Sequence, residues 1–191
     1  VLALKLIATG QRAGFSLDEL RGLLPGALAS WEHGSLLETL QDERINAVCL
    51  GPGLGLGPAT RDLVQTALAR AQGGRRGVVL DADGLTQFGF LSGGPADLFA
   101  RTAGAGNCVL TPHEGEFGRL FPDLAERLAA RPVAGPAYSR LDAVRAAAER
   151  AGCVVLLKGA DTVIAAPGGA AAVQAAAYGR AAPWLATAGA G

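Results

Sequence analysis

Short runs of apolar residues, each bounded by Gly or Pro, recur along the chain from residue 46 onward. They contain Val, Leu, Ile and Cys without polar alternation, which is typical of strands buried on both faces of a parallel sheet. The last run is followed by Pro167-Gly168-Gly169 and Ala171–Ala177, which predicts a hairpin. The predicted strands are Asn46–Leu50, Gly77–Asp81, Cys108–Thr111, Cys153–Lys158 and Thr162–Ala166.

Helical periodicity fills the stretches between these strands. Pro58–Ala71 has apolar residues at helical spacing and opens on a proline, which a first helical turn tolerates. A second helix is predicted from Ser139, which can form a capping box with Asp142, to a stop at Gly152. A weaker helical pattern covers Ala96–Ala103.

The order of these elements predicts the fold class. Strands that alternate with helices indicate βαβ units and an α/β fold, with a central, mostly parallel sheet between helices. Leu124–Tyr138 is rich in Pro, Ala and Arg, and we predict an irregular segment there. The 191 residues suit one domain, which we assign to 1–191.

Composition narrows the function classes. Lys+Arg and Asp+Glu number 17 each, so no basic surplus exists to neutralise a nucleic-acid backbone. The apolar opening VLALKLIA is too short to cross a bilayer and does not resemble a signal peptide. We therefore expect no nucleic-acid and no membrane partner.

The cysteines indicate the compartment. Cys49, Cys108 and Cys153 each lie in an apolar run, where a thiol acts as a small buried hydrophobe. An odd number without short spacing argues against a disulfide framework and against a zinc site. Buried free thiols predict a reducing compartment, which we take to be the cytoplasm.

Candidate chemistry lies in the loops after the strands. In open α/β sheets, ligands bind beyond the carboxyl ends of the strands. Polar or Gly-rich clusters follow nearly every predicted strand: Gly51–Gly57, Asp81-Ala82-Asp83-Gly84, Thr111–Glu116, Lys158–Thr162 and Ala186–Gly191. The glycine spacing in the first cluster is wrong for a GxGxxG dinucleotide fingerprint, which disfavours a redox dehydrogenase.

Taken together, these loops resemble the ADP/ATP-dependent NAD(P)H-hydrate dehydratases, a branch of the ribokinase-like superfamily. The resembling pieces appear in the family's order: NAVCLGPGLG (46–55), VVLDADGLT (78–86), VLTPHEGEFGRLF (109–121), VVLLKGADTVIAAPGG (154–169) and PWLATAGAG (183–191). The resemblance implies a three-layer ribokinase-like fold. It also implies dehydration of hydrated NAD(P)H with ADP or ATP, a symmetric homo-oligomer, and fusion to an epimerase domain in bacterial gene products. We expect Mg²⁺ to accompany the nucleotide.

The resemblance assigns two segments to the adenine nucleotide. The first is the Gly-rich turn, whose backbone N–H groups would cradle phosphates at a helix N-terminus; it comprises Ala188, Gly189, Ala190 and Gly191. The second follows a buried strand and comprises Lys158, Gly159, Ala160, Asp161 and Thr162. Lys158 can pair with a phosphate, or it can simply end a strand at the surface.

The other assignments concern the dinucleotide substrate. The resemblance places His113 against the hydrated nucleotide and leaves Glu116 to order water or metal, so these two are the candidate catalytic residues. A satisfied loop histidine is the alternative. Gly53 and Gly55 would let the dinucleotide approach the backbone. Asp81 and Asp83 either bind Mg²⁺ through water or cap the helix that follows.

The leading hypothesis for the function is a hydro-lyase that returns NAD(P)H-hydrate to NAD(P)H. A small-molecule kinase for a vitamin or sugar alcohol and a non-catalytic nucleotide-binding fragment are the alternatives. The sequence has no Met and closes on a Gly-rich turn, so we expect the domain to be truncated at both ends. The family's GxGD aspartate, the expected base, would lie beyond Gly191, so we expect this fragment to be inactive.

Overall fold

The structure is a computed structural model that describes residues 33–74, 76–90, 93–131 and 135–175. The chain divides into two compact units, Val1–Asp42 and Glu43–Gly191. In the first unit, the described element is helix α1 (His33–Gln41). The second unit carries the remaining elements described below. The assignment of one domain to 1–191 stays a prediction.

In the part of the second unit that the structure describes, six strands form one sheet in which spatial order equals chain order. The first four strands are mutually parallel, and the last two are added as an antiparallel hairpin. The strands are β1 (Ala47–Leu50), β2 (Gly77–Leu80), β3 (Cys108–Leu110), β4 (Val154–Leu157), β5 (Asp161–Ala165) and β6 (Ala171–Ala175). All six predicted strand positions are confirmed, each with small shifts at the ends.

Helices connect the parallel strands, as βαβ crossovers require. One helix lies between β1 and β2, two lie between β2 and β3, and three lie between β3 and β4. They are α2 (Pro58–Arg70), α3 (Asp83–Gly89), α4 (Gly94–Ala105), α5 (Glu114–Leu120), α6 (Pro122–Ala129) and α7 (Arg140–Ala151). The predicted α/β architecture with a mostly parallel central sheet is thus confirmed.

The prediction of an irregular segment over Leu124–Tyr138 was wrong at its start, where α6 occupies residues up to Ala129. Pro122 stands in the first turn of α6, where its missing N–H costs no helical hydrogen bond. Leu124 is buried and anchors the helix. Asp123 accepts two hydrogen bonds from Arg150 on α7, at 2.6 and 2.7 Å. These bonds lower the pKa of Asp123 to about 2.

Helix α7 has both predicted ends. The Ser139 hydroxyl accepts the N–H of Asp142 at 3.1 Å, and the Asp142 carboxylate accepts the N–H of Ser139 at 3.2 Å. This reciprocal capping box satisfies two backbone donors that the first helical turn leaves unpaired. Gly152 ends the helix at φ 62°, a left-handed conformation that favours glycine.

Two side chains of α7 hold the turn of the β5–β6 hairpin. Arg145 donates from Nε to the carbonyl of Gly169 at 3.0 Å, and Glu149 accepts the N–H of Gly168 at 3.0 Å. Arg145 and Glu149 are four residues apart and therefore lie on the same face of α7. The hairpin is fixed to the helix through its backbone, while the side chains of β6 are exposed.

The cysteines only partly follow the expectation. Cys108, the first residue of β3, and Cys153, which directly precedes β4, are buried as predicted. A thiol hydrogen bond with Cys153, together with burial, raises the pKa of Cys108 far above its ordinary value. Cys49 is exposed, so its expected burial was wrong. It lies on β1, an edge strand of the described sheet. None of the described helices is long and apolar enough to span a membrane.

A cluster of three phenylalanines packs α4, α5 and the start of α6 together. Phe121 stacks on Phe99 with ring centroids 4.9 Å apart and contacts Phe117 at 5.0 Å. Phe121 is fully buried. These contacts give the aromatic cluster more stabilising energy than burial of its area alone.

We expect Phe121→Ala to lower the free energy of unfolding by about 3 to 5 kcal/mol, because a large buried ring is replaced by a cavity. Phe90→Ala is the matched control. Phe90 is 64% exposed, and the ring contact described for it is with the Arg119 guanidinium, 4.9 Å from the ring centroid. Phe90→Ala should therefore lower the free energy of unfolding by less than about 1 kcal/mol. Urea denaturation measures both, and equal losses would contradict this account of the core.

Candidate active site

The parallel strands end at one edge of the sheet, and the hydrogen-bond ladder continues past their last residues. The N–H of Asp81 donates to Leu50 at 3.0 Å, and the N–H of Thr111 donates to Leu80 at 3.0 Å. The N–H of Lys158 donates to Pro112 at 2.9 Å. The loops that follow all four strands are therefore held side by side, where the sequence places its polar residues.

An ion pair crosses this edge. Lys158, after β4, places its Nζ 2.6 Å from Oδ1 of Asp81, after β2. The two side chains are only 22% and 27% exposed. An ammonium carries three N–H donors, so this pairing leaves donors of Lys158 for a further acceptor. The contact was not foreseen, and it distinguishes Lys158 from a lysine that simply projects into solvent.

His113 and Glu116 form a second capping box at the start of α5. The Nδ1 atom of His113 accepts the N–H of Gly115 at 2.9 Å, and the Glu116 carboxylate accepts the N–H of His113 at 2.9 Å. An Nδ1 that accepts is unprotonated, so a neutral ring carries its proton on Nε2. Nε2 lies 3.5 Å from Oε1 of Glu116.

Exposure separates the roles of these two residues. The His113 side chain is 55% exposed and can meet a ligand, whereas that of Glu116 is 4% exposed. Glu116 thus holds the loop and the imidazole from beneath. Contact of His113 with a dinucleotide, and the ordering of water or metal by Glu116, stay predictions.

The glycine segment after β1 is fixed by side chains of α3. Gly55 donates its N–H to Asp83 at 2.8 Å, and Gly57 donates to Gln87 at 2.6 Å. Asp83 therefore does not cap α3, whose N-cap is Ala82 without a side-chain bond. Asp83 and Gln87 are four apart, so they share one face of the helix that follows the strand. The sequence contained that signal for Gln87, but the prediction missed it.

Gly53 and Gly55 occupy left-handed backbone conformations, each at φ 75°. A side chain is disfavoured there, which alone accounts for the two glycines. A Cβ at Gly55 would nevertheless meet nothing within 4 Å, so its outer side is open to a ligand. The predicted approach of a dinucleotide at Gly53 and Gly55 is compatible with this geometry and stays a prediction.

The backbone at Asp81 is both crowded and strained. A Cβ at Gly51 would lie 1.6 Å from the carbonyl oxygen of Asp81. Ala82, the next residue, has φ 44° and ψ −121°, a conformation rare for any residue but glycine. Strain of this kind concentrates at functional sites, where the surrounding structure enforces it. The loop between β2 and α3 is thus held in one shape beneath Lys158.

The second predicted nucleotide segment turns from β4 into the hairpin. Gly159 and Ala160 are exposed in the turn, and Asp161 and Thr162 begin β5, where Thr162 pairs with Gln174. The first predicted segment, which comprises Ala188, Gly189, Ala190 and Gly191, lies outside the described residues. The structure therefore brings Lys158, Asp81 and the His113 loop to one edge and leaves the phosphate cradle as a prediction.

Sequence reasoning also missed Arg140, the first residue of α7. Its Nη1 forms an ion pair with Glu114, the first residue of α5, and its Nη2 donates to the carbonyl of Lys158 at 3.3 Å. The only sequence signal was its position directly after the capping residue of a predicted helix. Arg140 thus joins two of the loops that carry candidate site residues.

Metal ligands do not converge in this region. Within the ranges that the structure describes, no group of three or more His, Cys, Asp or Glu side chains could hold a metal ion. The carboxylate of Glu116 is engaged by the backbone, and that of Asp81 is engaged by Lys158. The described side chains therefore offer no preassembled set of three or more metal ligands.

We expect Gly51→Ala to lower the free energy of unfolding by about 3 kcal/mol or more, because its methyl group overlaps the rigid carbonyl of Asp81. Gly55→Ala, in the same segment, should cost only about 1 kcal/mol from its left-handed backbone. Chemical denaturation of both variants measures the difference. A Gly51→Ala protein as stable as Gly55→Ala would contradict the tight contact between the two loops.

Comparison with known proteins places this geometry in a family. A sequence profile described as NAD(P)H-hydrate dehydratase matches residues 17–191. The bifunctional NAD(P)H-hydrate repair enzyme Nnr of Gloeobacter violaceus is 38% identical over 184 residues, with 87% of this chain and 32% of the relative covered. Nnr of Mycobacterium tuberculosis is 40% identical over 148 residues, which cover 78% of this chain and 26% of the relative.

A solved structure is also similar. The ADP/ATP-dependent NAD(P)H-hydrate dehydratase of Bacillus subtilis, crystallised with ATP and Mg²⁺, is 27% identical. The match covers 67% of this chain and 38% of that protein, with a TM-score of 0.45. The chain spans about a third or less of the length of these curated relatives. From its sequence profile and these relatives, the chain belongs to the NAD(P)H-hydrate dehydratase family.

Proposed function

We propose that the protein carrying this chain is a hydro-lyase that uses ADP or ATP to remove water from hydrated NAD(P)H. The observation that carries the proposal is the Lys158–Asp81 ion pair at the carboxyl edge of the parallel strands, within the family's motifs. It holds the ammonium group of Lys158, with its remaining N–H donors, at a fixed position over the loop after β2. A nucleotide phosphate and a hydroxylated dinucleotide can meet there.

The chemistry explains why a nucleotide is required. Hydroxide is a poor leaving group, so the hydroxyl of the hydrated ring first gives its proton to a base and takes the terminal phosphoryl group of the nucleotide. Elimination of that phosphate, with loss of a proton from the neighbouring ring carbon, restores NAD(P)H. ATP would give ADP and phosphate, and ADP would give AMP and phosphate. The site must therefore position two substrates and stabilise the transferred phosphoryl charge.

Lys158 would stabilise that charge. Asp81 holds Nζ in place and satisfies one donor, which leaves the others for phosphate oxygens. Preorganised donors of this kind act without reorganisation at the moment of reaction. Gly159, Ala160, Asp161 and Thr162 would line the nucleotide next to Lys158, and Ala188–Gly191 would complete the phosphate cradle.

His113 and the glycine segment would hold the dinucleotide. The exposed imidazole presents a ring that Glu116 orients from its buried position, so we assign contact to His113 and positioning to Glu116. The open outer side of Gly55 allows close approach of a substrate. The resemblance assigns the base that accepts the hydroxyl proton to the Asp of the family's GxGD motif.

The setting follows from the same proposal. We assign Mg²⁺ no ligand from the described residues, so it would enter bound to the nucleotide phosphates. The buried free thiols of Cys108 and Cys153 support a cytoplasmic protein. The family resemblance supports a homo-oligomer and an epimerase domain in the full gene product. The name of the Gloeobacter violaceus relative, a bifunctional NAD(P)H-hydrate repair enzyme, is consistent with a second domain.

We expect Lys158→Met in the full-length protein to lower kcat/KM for the nucleotide about a hundredfold, because one preorganised donor to the phosphoryl group is lost. Arg70→Met, which removes an exposed positive charge from the last turn of α2, serves as the control. Steady-state kinetics with varied nucleotide measure both. If both variants lower kcat/KM equally, Lys158 contributes only to the overall charge of the protein and does not bind the phosphoryl group.

The activity itself is tested by incubating NADH-hydrate with the full-length protein and either ADP or ATP. We expect the NADH absorbance to return, with one phosphate released for each NADH formed. No recovery with either nucleotide would reject the dehydratase. Stable phosphorylation of a sugar alcohol or vitamin under the same conditions would identify a small-molecule kinase instead.

A further inference from the structure

Arg140 bridges the two loops that the proposed function assigns to the nucleotide and the dinucleotide. Its guanidinium forms an ion pair with Glu114, which directly follows His113. The same group donates to the carbonyl of Lys158 at 3.3 Å. A planar guanidinium can direct donors to both partners at a fixed angle, whereas an ammonium is a compact point charge. The bridge therefore fixes the distance between α5 and the backbone at Lys158.

Gly159 is shaped to admit this side chain. A Cβ on Gly159 would lie 2.6 Å from Nη2 of Arg140 and 3.3 Å from its central carbon. Gly159 is absent from the glycines with positive φ, so its backbone would accept an alanine. The turn therefore has a glycine at position 159 because a side chain there would collide with the guanidinium of Arg140.

The placement of Arg140 has an energetic cost. Its Nε is, among the side chains that the structure describes, the only buried nitrogen or oxygen atom without a hydrogen-bond partner. A buried donor that loses water without gaining a partner is unfavourable. Native structures keep few such groups, and each calls for an explanation. The other two guanidinium nitrogens bind Glu114 and the carbonyl of Lys158. We infer that these two contacts explain why the unpaired Nε is retained.

Packing alone does not explain Arg140. Its side chain borders a cavity of about 330 Å³ that is also lined by Phe117, Leu128 and Leu157. The region is therefore not tightly filled, and a shorter side chain would enlarge an existing space. We expect substitutions of Arg140 to leave the fold intact.

We propose that Arg140 is a positioning residue that sets the Lys158–Thr162 turn in its nucleotide-binding conformation. The inference rests on the proposed function, because it requires an adenine nucleotide to bind at this turn. Arg140 acts through the carbonyl of Lys158 and the backbone of Gly159, and it need not touch the nucleotide. Its ion pair with Glu114 keeps the guanidinium in register with the His113 loop.

The first experiment measures ADP binding to the full-length protein by calorimetry, together with steady-state kinetics. Arg140→Lys keeps the charge but loses the planar fork, and we expect it to weaken ADP binding about tenfold. The KM for NADH-hydrate and kcat at saturating nucleotide should change less than about twofold, since the proposal gives Arg140 no contact with the dinucleotide or with the phosphoryl group. An ADP affinity equal to wild type in Arg140→Lys would overturn the proposal.

Arg150→Lys is the matched control. Arg150 lies on the same helix, and its guanidinium also makes a charged bridge, to Asp123, but at the opposite end of α7. It should leave ADP binding unchanged. If Arg150→Lys weakens ADP binding as much as Arg140→Lys, general loosening of α7 is the cause and the proposal is wrong.

A double-mutant cycle tests the route of action. Gly159→Ala should displace the guanidinium and weaken ADP binding, and it should add little in an Arg140→Ala background, where no guanidinium remains to displace. Fully additive effects would mean that the methyl group obstructs the nucleotide directly, which would contradict the proposal. The wild-type protein separates failure of this proposal from failure of the proposed function. If it binds ADP in calorimetry but does not dehydrate NADH-hydrate, only the proposed function is refuted. If it does not bind ADP, the proposed function and the role of Arg140 are both refuted.

Discussion

The candidate site depends on the register of four parallel strands. Because spatial order equals chain order and the hydrogen-bond ladder continues past the last strand residues, the loops after β1 to β4 are fixed side by side. Asp81 and Lys158 directly follow strands that are two positions apart in the sheet, and their side chains meet at 2.6 Å. The ion pair is therefore a product of topology. It turns a lysine with a flexible four-carbon stem into a charge at a defined position.

Around that pair, each loop is held by hydrogen bonds within the protein. The glycine segment is fixed by Asp83 and Gln87 of α3. The His113 loop is fixed by its own capping box, and the turn after Lys158 is approached by Arg140. The backbone strain at Ala82 lies at the centre of this arrangement. Such preorganisation suits phosphoryl transfer, in which positioning and electrostatics do most of the catalytic work.

The sequence predicted the strands and the helices α2, α4 and α7 because each had a local physical signal. Apolar runs gave the strands, and the cap at Ser139 and the stop at Gly152 gave α7. The prediction failed for α6 because the Pro, Ala and Arg content of residues 124–138 does not reveal that a helix has already begun at Pro122. Cys49 was misjudged because an apolar run does not reveal that its strand lies at an edge of the described sheet.

The site was predictable as a set of loops but not as a set of contacts. The motifs nominated Lys158 and His113 as candidate site residues, yet the partner of Lys158 lies 77 positions away, and no local rule connects the two. Arg140 is the clearest case, since its role depends on a carbonyl and a missing Cβ in a distant turn. Long-range contacts of this kind follow from tertiary packing, which sequence periodicity does not specify.

The central claim is that Lys158, while held by Asp81, binds the phosphates of an adenine nucleotide. A crystal structure of the full-length protein with ADP tests it most directly. The account predicts a phosphate oxygen about 3 Å from Nζ of Lys158, with the contact to Asp81 retained. ADP phosphates bound away from this strand edge, with Lys158 still paired only to Asp81, would contradict it.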